Sequence, residues 1–557
     1  MGSSGSPVRG ACNTRPVEAT HEATPSPRQH ANLAALLTAA AADNPDGSAL
    51  VDEHRQVTWA ELEHECAGVA GGLAGLGMVA SNRVAILLGN RIEFVTAYLG
   101  ALGSGLVAVP LNPHAATGEI VRVLADCSPK VVVCDRDTVT PTRAAVAGLA
   151  EALEGADEAV RARAVVPQVV VVEAPTLPGE HVYADLYDSG RSVTPPPKDP
   201  ETLAVLLYTA GTSGRPRAAM LPHRALLANI EQAAGLAPPP LERTDRVLGV
   251  LPMFHVYGLN AVLGQVLRQA ACLVIADRFD AEGTLALIAR ESVTNVPIAP
   301  PALAAWSRRD DLRDRLTGVR TVLSGASPLH PEVVRRFEER SGLTVHQGYG
   351  LTEAAPVVTS TLGSSTPKPG SVGRPLPGVE IRVVDESGFD TDGLDPGEIR
   401  IRGANLFCGY WPEGCGAPDD DGWYGTGDVG YVDPDGDLFL VDRLKEIVIV
   451  SGFNVYPVEV EEAVAEVDGV GEVAVIGAPD DEGGTEVVVA YVVADETSAT
   501  PIEELADAVR AHCESRLAPF KQPIQVHVVD RLPRSVSGKV AKGRLRDTQR
   551  RRAMGLS

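Results

Sequence analysis

The sequence predicts an α/β protein: a large N-terminal domain of layered, largely parallel sheets followed by a small C-terminal α/β domain. Short apolar, β-branched runs alternate with helix-like segments from Leu33 onward, a pattern that places parallel strands between covering helices. The chain has 557 residues, too many for a single ordinary core, so more than one domain is expected. From Val458 the order helix, strand, strand, helix, strand repeats the alternation on a smaller scale.

Residues 1–30 are rich in Ser, Pro, Ala and Gly with no hydrophobic period and read as a disordered leader. A helical Leu33-Ala-Ala-Leu-Leu stretch follows, then the strand Ser48-Ala-Leu-Val51, and Thr58 as N-cap to a helix from Trp59. The runs Val84–Leu88, Gly105–Pro110, Lys130–Cys134 and Leu203–Tyr208 read as strands, and a helix is expected from near His223. In the C-terminal unit Val458–Val464 opens a helix, Val473–Ile476 and Glu486–Val493 pair as strands, and Ile502–Arg516 has helical period. The end beyond residue 547 is a basic tail, read as a solvated face.

Composition narrows the function classes. A hydrophobic fraction of 44% with 22% charged residues belongs to a globular protein rather than a disordered one. Lys and Arg number 49 against 73 Asp and Glu, a net charge of -24, which repels polyanions and argues against a nucleic-acid partner. Any phosphate site must therefore be locally basic. The 8 cysteines are scattered, with no Cys-x-x-Cys pair, which suits reduced thiols and a cytoplasmic setting. The longest stretch without a formal charge, Val247–Leu267, is interrupted by Pro252, His255, Asn260 and Gln265 and reads as a buried or pocket segment, not a membrane span.

Tyr208-Thr-Ala-Gly-Thr-Ser-Gly-Arg-Pro-Arg217 is the segment around which the chemistry gathers. Gly211 and Gly214 let main-chain N–H groups approach an anion, Thr209, Thr212 and Ser213 supply hydroxyls, and Arg215 and Arg217 supply charge. On residues alone it fits a phosphate cradle or a flexible surface turn equally. It is not a Walker loop, because no Gly-Lys-Ser/Thr closes it. The segment resembles the signature Tyr-Thr-Ser-Gly-Thr-Thr-Gly-x-Pro-Lys-Gly of the AMP-forming adenylate-forming superfamily, which includes acyl-CoA synthetases, luciferases and peptide-synthetase adenylation domains. Ala210 stands where that signature has a hydroxyl, and Arg217-Ala218 where it has Lys-Gly. Arginine keeps the charge but is a rigid fork where lysine is a mobile point charge.

Later segments match the same superfamily in the same order. Leu248–Asn260 sets His255 among apolar and aromatic residues; a satisfied core histidine is the plain reading, and the resemblance to Leu-Pro-x-Phe-His-x-Tyr-Gly implies that His255 and Tyr257 line the acyl pocket. Val322-Leu-Ser-Gly-Ala-Ser-Pro-Leu329 reads as a strand ending in small residues, and the resemblance makes Gly325 and Ala326 a wall beside adenine and the acyl group. In Gln347-Gly-Tyr-Gly-Leu-Thr-Glu353 the Tyr349 ring can lie against a base, Thr352 can donate to a phosphate and Glu353 can hold Mg²⁺. The resemblance adds Gly348 and Gly350 to the nucleotide site, Gly350 also to the acyl pocket, and makes Thr352 and Glu353 catalytic.

Gly425-Thr-Gly-Asp-Val-Gly430 satisfies a dinucleotide fingerprint in letters only, since a Pro/Asp/Gly turn between two strands follows where a helix is required. It matches instead the family's Gly-Trp-x-x-Thr-Gly-Asp, which implies that Asp428 accepts from the ribose hydroxyls. Beyond it, the resemblance assigns Arg443 to the ribose, Lys445 to a hinge, and Ser451, Gly452 and Phe453 to the wall of a CoA tunnel. Leu532-Pro-Arg-Ser-Val-Ser-Gly-Lys539 matches Pro-x-Thr-x-Ser-Gly-Lys, which makes Lys539 the catalytic lysine.

The resemblance covers residues from about 31 to 547. It implies a large AMP-binding domain over 31–442 carrying a small β-barrel-like subdomain, a hinge at 443–446, a mobile C-terminal domain over 447–547 and a basic tail over 548–557. ATP and CoA are the expected co-substrates and Mg²⁺ the metal. The implied activity is an acid–thiol ligase that forms acyl-AMP and then acyl-CoA, with a medium- or long-chain fatty acid favoured. An aryl or 4-coumarate-type CoA ligase and an acyl-AMP ligase loading a carrier protein are the near alternatives. A non-catalytic nucleotide-binding protein is the alternative of a different class.

Overall fold

The computed structural model describes residues 30–154, 157–187, 198–209, 217–326, 329, 331–385, 387–391, 393–443, 446–450, 453–479, 486–495, 501–534 and 539–553; at a few of these, Arg443 and Phe453 among them, only the backbone is described. The expected leader up to residue 29 and Ala210, Gly211, Thr212, Ser213, Gly214, Lys445, Ser451 and Gly452 lie outside the described residues.

Two sheets organise the N-terminal part. In the seven-stranded sheet, Val131–Asp135, Arg83–Leu87, Val107–Pro110 and Leu203–Thr209 run parallel, as their apolar, β-branched sequences require of strands covered on both faces. At its edge Arg217–Pro222 turns back antiparallel to Leu203–Thr209. The glycine-rich segment thus joins two strands of a hairpin, and the helix His223–Ala234 begins only after the second. That second strand, Arg-Ala-Ala-Met-Leu-Pro, has weak strand propensity of its own; pairing with its neighbour overrides it.

The thirteen-stranded sheet is parallel from Val345–Gly350 through Thr321–Ser324, Asn295–Ile298 and Arg246–Gly249 to Cys272–Ile275 and Ser48–Val51. Beyond Val345–Gly350 it continues antiparallel through Val357–Ser360, Ser371–Pro375, Leu438–Arg443, Tyr424–Val432 and Gly397–Gly403 to Val379–Val384. This antiparallel run occupies the place of the expected barrel-like subdomain and remains hydrogen-bonded to the parallel half. A buried core containing Trp59, Leu62, Phe94, Tyr98, Val84, Leu226 and Leu263 fills the space around the helices Trp59–Gly75, Ile92–Gly103 and His223–Ala234. Thr58 caps the first of these through a reciprocal capping box with Glu61.

The C-terminal unit has its own three-stranded sheet, with Val470–Pro479 antiparallel and Gln525–Val528 parallel to Glu486–Ala494. Both faces of the central strand are covered: Val488, Ala490 and Val492 pack with Val460, Val464 and Leu505, while Val487, Val489 and Tyr491 pack with Leu532 and Leu545. The basic end is helical over Lys542–Ala553, and buried Gln549 accepts from the Tyr491 hydroxyl at 2.9 Å. At the start of the expected solvated tail, Thr548 is exposed and Gln549 is buried. Among the described residues no helix is long and apolar enough to cross a membrane.

Candidate active site

The hairpin that carries the glycine-rich segment is anchored at its base. Tyr208 donates to Asp126 Oδ2 at 2.6 Å, and burial together with the nearby acidic groups pushes its phenol well above the ordinary range, so it stays a donor. Thr209 Oγ1 donates to the Arg217 carbonyl at 3.3 Å, closing the two strand ends together. The Arg217 guanidinium lies 3.8 Å from the centroid of the Tyr410 ring, a cation–π contact. Tyr410 is brought there by backbone pairing: it bridges Ala219, and Trp411 N–H donates to the Ala218 carbonyl at 2.9 Å.

Tyr410 in turn holds Glu353. Its hydroxyl donates to Glu353 Oε1 at 2.6 Å, and the carboxylate is 9% exposed. Burial and this neighbouring carboxylate push the Tyr410 phenol far above its ordinary value, which fixes the hydroxyl as donor. Glu353 belongs to a 3₁₀ turn, Thr352–Ala354, whose backbone is tied down by Phe407 N–H donating to the Glu353 carbonyl at 2.9 Å. The Tyr424 phenol is pushed up to about 12, mainly by burial and next by the charge of Glu353. Phe407 packs edge-on against both Tyr410 and Tyr424, with ring centroids 5.1 and 5.2 Å away.

Asp428 lies in the strand Tyr424–Val432, opposite Arg443 in the neighbouring strand. A strand here excludes the dinucleotide reading, which needs a helix. Asp428 Oδ2 accepts from the Tyr349 hydroxyl at 2.6 Å, and this bond ties the Gln347–Glu353 segment to the Gly425–Gly430 segment. The glycines beside Tyr349 serve the sheet: a Cβ on Gly348 would sit 2.8 Å from the Thr359 carbonyl oxygen, and one on Gly350 only 2.4 Å from that of Pro356. Both approaches come from the adjoining chain, so a side chain there would push the two segments apart.

Gly325 ends the strand Thr321–Ser324, where a Cβ would meet the Tyr257 ring at 3.4 Å and the Gly348 carbonyl at 3.5 Å. Ala326 follows with φ of 75°, a left-handed conformation uncommon for any residue but glycine. Tyr257 begins a π-helix, Tyr257–Gly264, and lines a cavity of about 20 Å³ with Ala261, Val262 and Leu323. His255 does not line that cavity. Its Nε2 is shut off from solvent without a partner, and burial, with a smaller contribution from the Lys539 charge, lowers its pKa to about 4. The ring is therefore neutral at pH 7.

The charge of Lys539, which is exposed, reaches His255 as the smaller cause of that lowering. Three residues further on, Lys542 pairs with Glu446 at 3.2 Å and Glu461 at 2.9 Å, anchoring this segment near the junction of the two domains. Motifs far apart in sequence thus meet: Arg217 and Glu353 share Tyr410, and Tyr349 is bonded to Asp428. Tyr410, Tyr424 and Asn90 were not singled out from sequence. The Asn90 amide donates to the carbonyls of Gly249, Leu251 and Ala276 while its Oδ1 accepts from Met253 N–H, so it holds the turn that presents His255. The aromatic cluster in Phe407-Cys-Gly-Tyr-Trp411 was the available signal for Tyr410; Asn90 had none.

The AMP-binding enzyme family model matches residues 37–411, and the model for the AMP-binding enzyme C-terminal domain matches residues 459–539. The chain is 32% identical to a long-chain-fatty-acid–CoA ligase of Bacillus subtilis over 536 residues, covering 93% of this chain and 95% of that protein. It is 31% identical to a 4-coumarate-CoA ligase of Narcissus pseudonarcissus over 517 residues, covering 90% of each chain. The ATP-bound structure of MatB from Rhodopseudomonas palustris superposes with a TM-score of 0.83 at 30% identity, covering 93% of this chain and 99% of that one. With the site geometry above, these matches make the protein a member of the AMP-binding enzyme family and, within it, an adenylate-forming acid–thiol ligase of the acyl-CoA ligase group.

Proposed function

We propose that the acid activated by this ligase is a medium- or long-chain fatty acid, converted to acyl-AMP with release of pyrophosphate and then to acyl-CoA with release of AMP. The observation that carries the site assignment is the contact sequence Arg217, Tyr410, Glu353. A carboxylate is a poor electrophile and is repelled by a triphosphate, so the site must offset charge before bond formation. Arg217, the glycine loop from Thr209 to Gly214 with Ala210, Gly211, Thr212 and Ser213, and Lys539 supply that charge and those donors; Thr352 donates to phosphate. The acid's oxygen attacks the α-phosphorus, and the bond to pyrophosphate breaks.

Glu353 fits a hard cation. Tyr410 engages Oε1, which leaves Oε2, and no cluster of three or more His, Cys, Asp or Glu forms a metal cage among the described residues. Mg²⁺ would then take one protein carboxylate, with water and nucleotide phosphates completing its shell. When bound it supplies positive charge to the phosphate oxygens. Asp428 and Arg443 hold the ribose, Gly325, Ala326, Gly348, Tyr349 and Gly350 wall the adenine, and His255 and Tyr257 border the acyl group in this reading.

The second step needs a different arrangement. The unit 447–547 turns about the hinge 443–446 at Lys445, withdraws Lys539 and brings Ser451, Gly452 and Phe453 to the CoA tunnel. The thiol sulfur then attacks the acyl carbon, its proton is lost to solvent, and AMP leaves. Unpaired cysteines among the described residues suit a cytoplasmic setting. An aryl acid is the second reading, favoured by 4-coumarate ligases that match at nearly the same identity as the fatty-acid ligase. ATP–pyrophosphate exchange over fatty and aromatic acids tests both: stimulation greatest with fatty acids is expected, strongest stimulation by aromatic acids would overturn the fatty-acid assignment, and no stimulation by any acid would overturn the ligase itself.

A further inference from the structure

The cavity behind Tyr257 has a polar end. Gln265 and Asn295 both line it, and they are 3% and 1% exposed. Gln265 Nε2 donates to the Ile230 carbonyl and Asn295 Nδ2 to the Pro240 carbonyl, each at 2.7 Å. A carbonyl can only accept, so each amide must direct its nitrogen to that partner, and the orientation is settled by chemistry. The remaining atoms, Gln265 Oε1 and Asn295 Oδ1, are both buried acceptors without a donor. Two such orphans on one cavity are costly unless something fills it and donates.

The surrounding wall is apolar, with Leu241, Val247, Val262, Pro297 and Leu323. Tyr257 links the cavity to the Gly325 wall: it lines the cavity, and its ring lies 3.4 Å from the position of a Gly325 Cβ. Asn295 pairs with Thr321, four residues and so about 13 Å of strand from Gly325. A volume of about 20 Å³ accommodates one water-sized group. We infer that Gln265 and Asn295 form the distal end of the acyl pocket and select a carboxylic acid bearing a hydrogen-bond donor, such as a hydroxyl, at the end remote from its carboxylate.

This inference rests on the ligase reading and deepens it by naming a feature of the acid. Its donor would bond to Oε1 and Oδ1, while an acid ending in a methyl group would leave both acceptors buried and unpaired. Sites built around a buried polar contact discriminate strongly against analogues lacking it. The test compares octanoate and decanoate with their ω-hydroxy derivatives, and cinnamate with its para-hydroxy derivative, in CoA-ligase assays of the full chain. At least one hydroxy acid is expected to exceed its parent in kcat/KM by tenfold or more. That ratio should fall towards one in Gln265→Met and Asn295→Leu, with thermal melts checking that each variant folds; the wild-type ratio stands even if neither does. Parent acids used as well as or better than every hydroxy acid would overturn the inference while leaving the ligase intact, and would assign the acceptors to a resident water. A wild-type preference unchanged in both folded variants would also overturn it. Failure of every acid would remove the ligase reading together with the inference.

Discussion

Tyr410 belongs to none of the signature segments, yet it touches two of them, with its ring under Arg217 and its hydroxyl on Glu353. A hydrogen bond to a charged group contributes about 1.5–3 kcal/mol, and its loss leaves a buried carboxylate with less support. Tyr410→Phe keeps the ring for Arg217 and removes only the donor. Acid-dependent ATP–pyrophosphate exchange is expected to fall by roughly tenfold to a hundredfold, measured at saturating acid over a range of Mg²⁺ concentrations. Unchanged exchange at every Mg²⁺ concentration would show that the bond does not support the carboxylate. The site was legible where residue identity and spacing signal chemistry, as in Gln347–Glu353 with its Tyr349 and Glu353. It was illegible where tertiary packing alone recruits the residue, as with Asn90, whose four bonds reach 159 to 186 positions along the chain.

At the scale of elements, local pattern identified the capped helix Trp59–Gly75, the parallel strands and the helix Ile502–Arg516, because capping and period are written in neighbouring residues. The return strand Arg217–Pro222 and the π-helix Tyr257–Gly264 depend on partners far away and left no comparable local mark. The helix His223–Ala234 also carries a pH-dependent stability. His223 is fully buried, Leu33 N–H donates to its Nδ1, and burial lowers its pKa from 6.5 to about 4. In the unfolded chain it regains its ordinary value, so its stabilising contribution is full above about pH 6.5 and is lost as pH falls towards 4. Between pH 7 and 5 this one group should cost roughly 2 kcal/mol. Urea unfolding of the wild type and His223→Gln should show that extra loss in the wild type alone; parallel curves would contradict it.

The whole molecule joins a large domain, in which Tyr410 contacts Arg217 and Glu353 and Tyr349 holds Asp428, to a smaller domain with its own core that carries Lys539. Order and spacing of the motifs made the two-domain α/β plan legible, because each domain has its own alternating strands and helices. How the acyl pocket ends was not legible, since Gln265 and Asn295 meet only through folding. In the proposed reaction the same chain performs two steps at one pocket, and Lys539 serves only the first. Separate half-reactions of Lys539→Ala test this most directly. Acyl-AMP formation from acid and ATP should be lost, while supplied acyl-AMP and CoA should still give the thioester at close to the wild-type rate. Equal loss of both half-reactions, or loss of neither, would contradict the account.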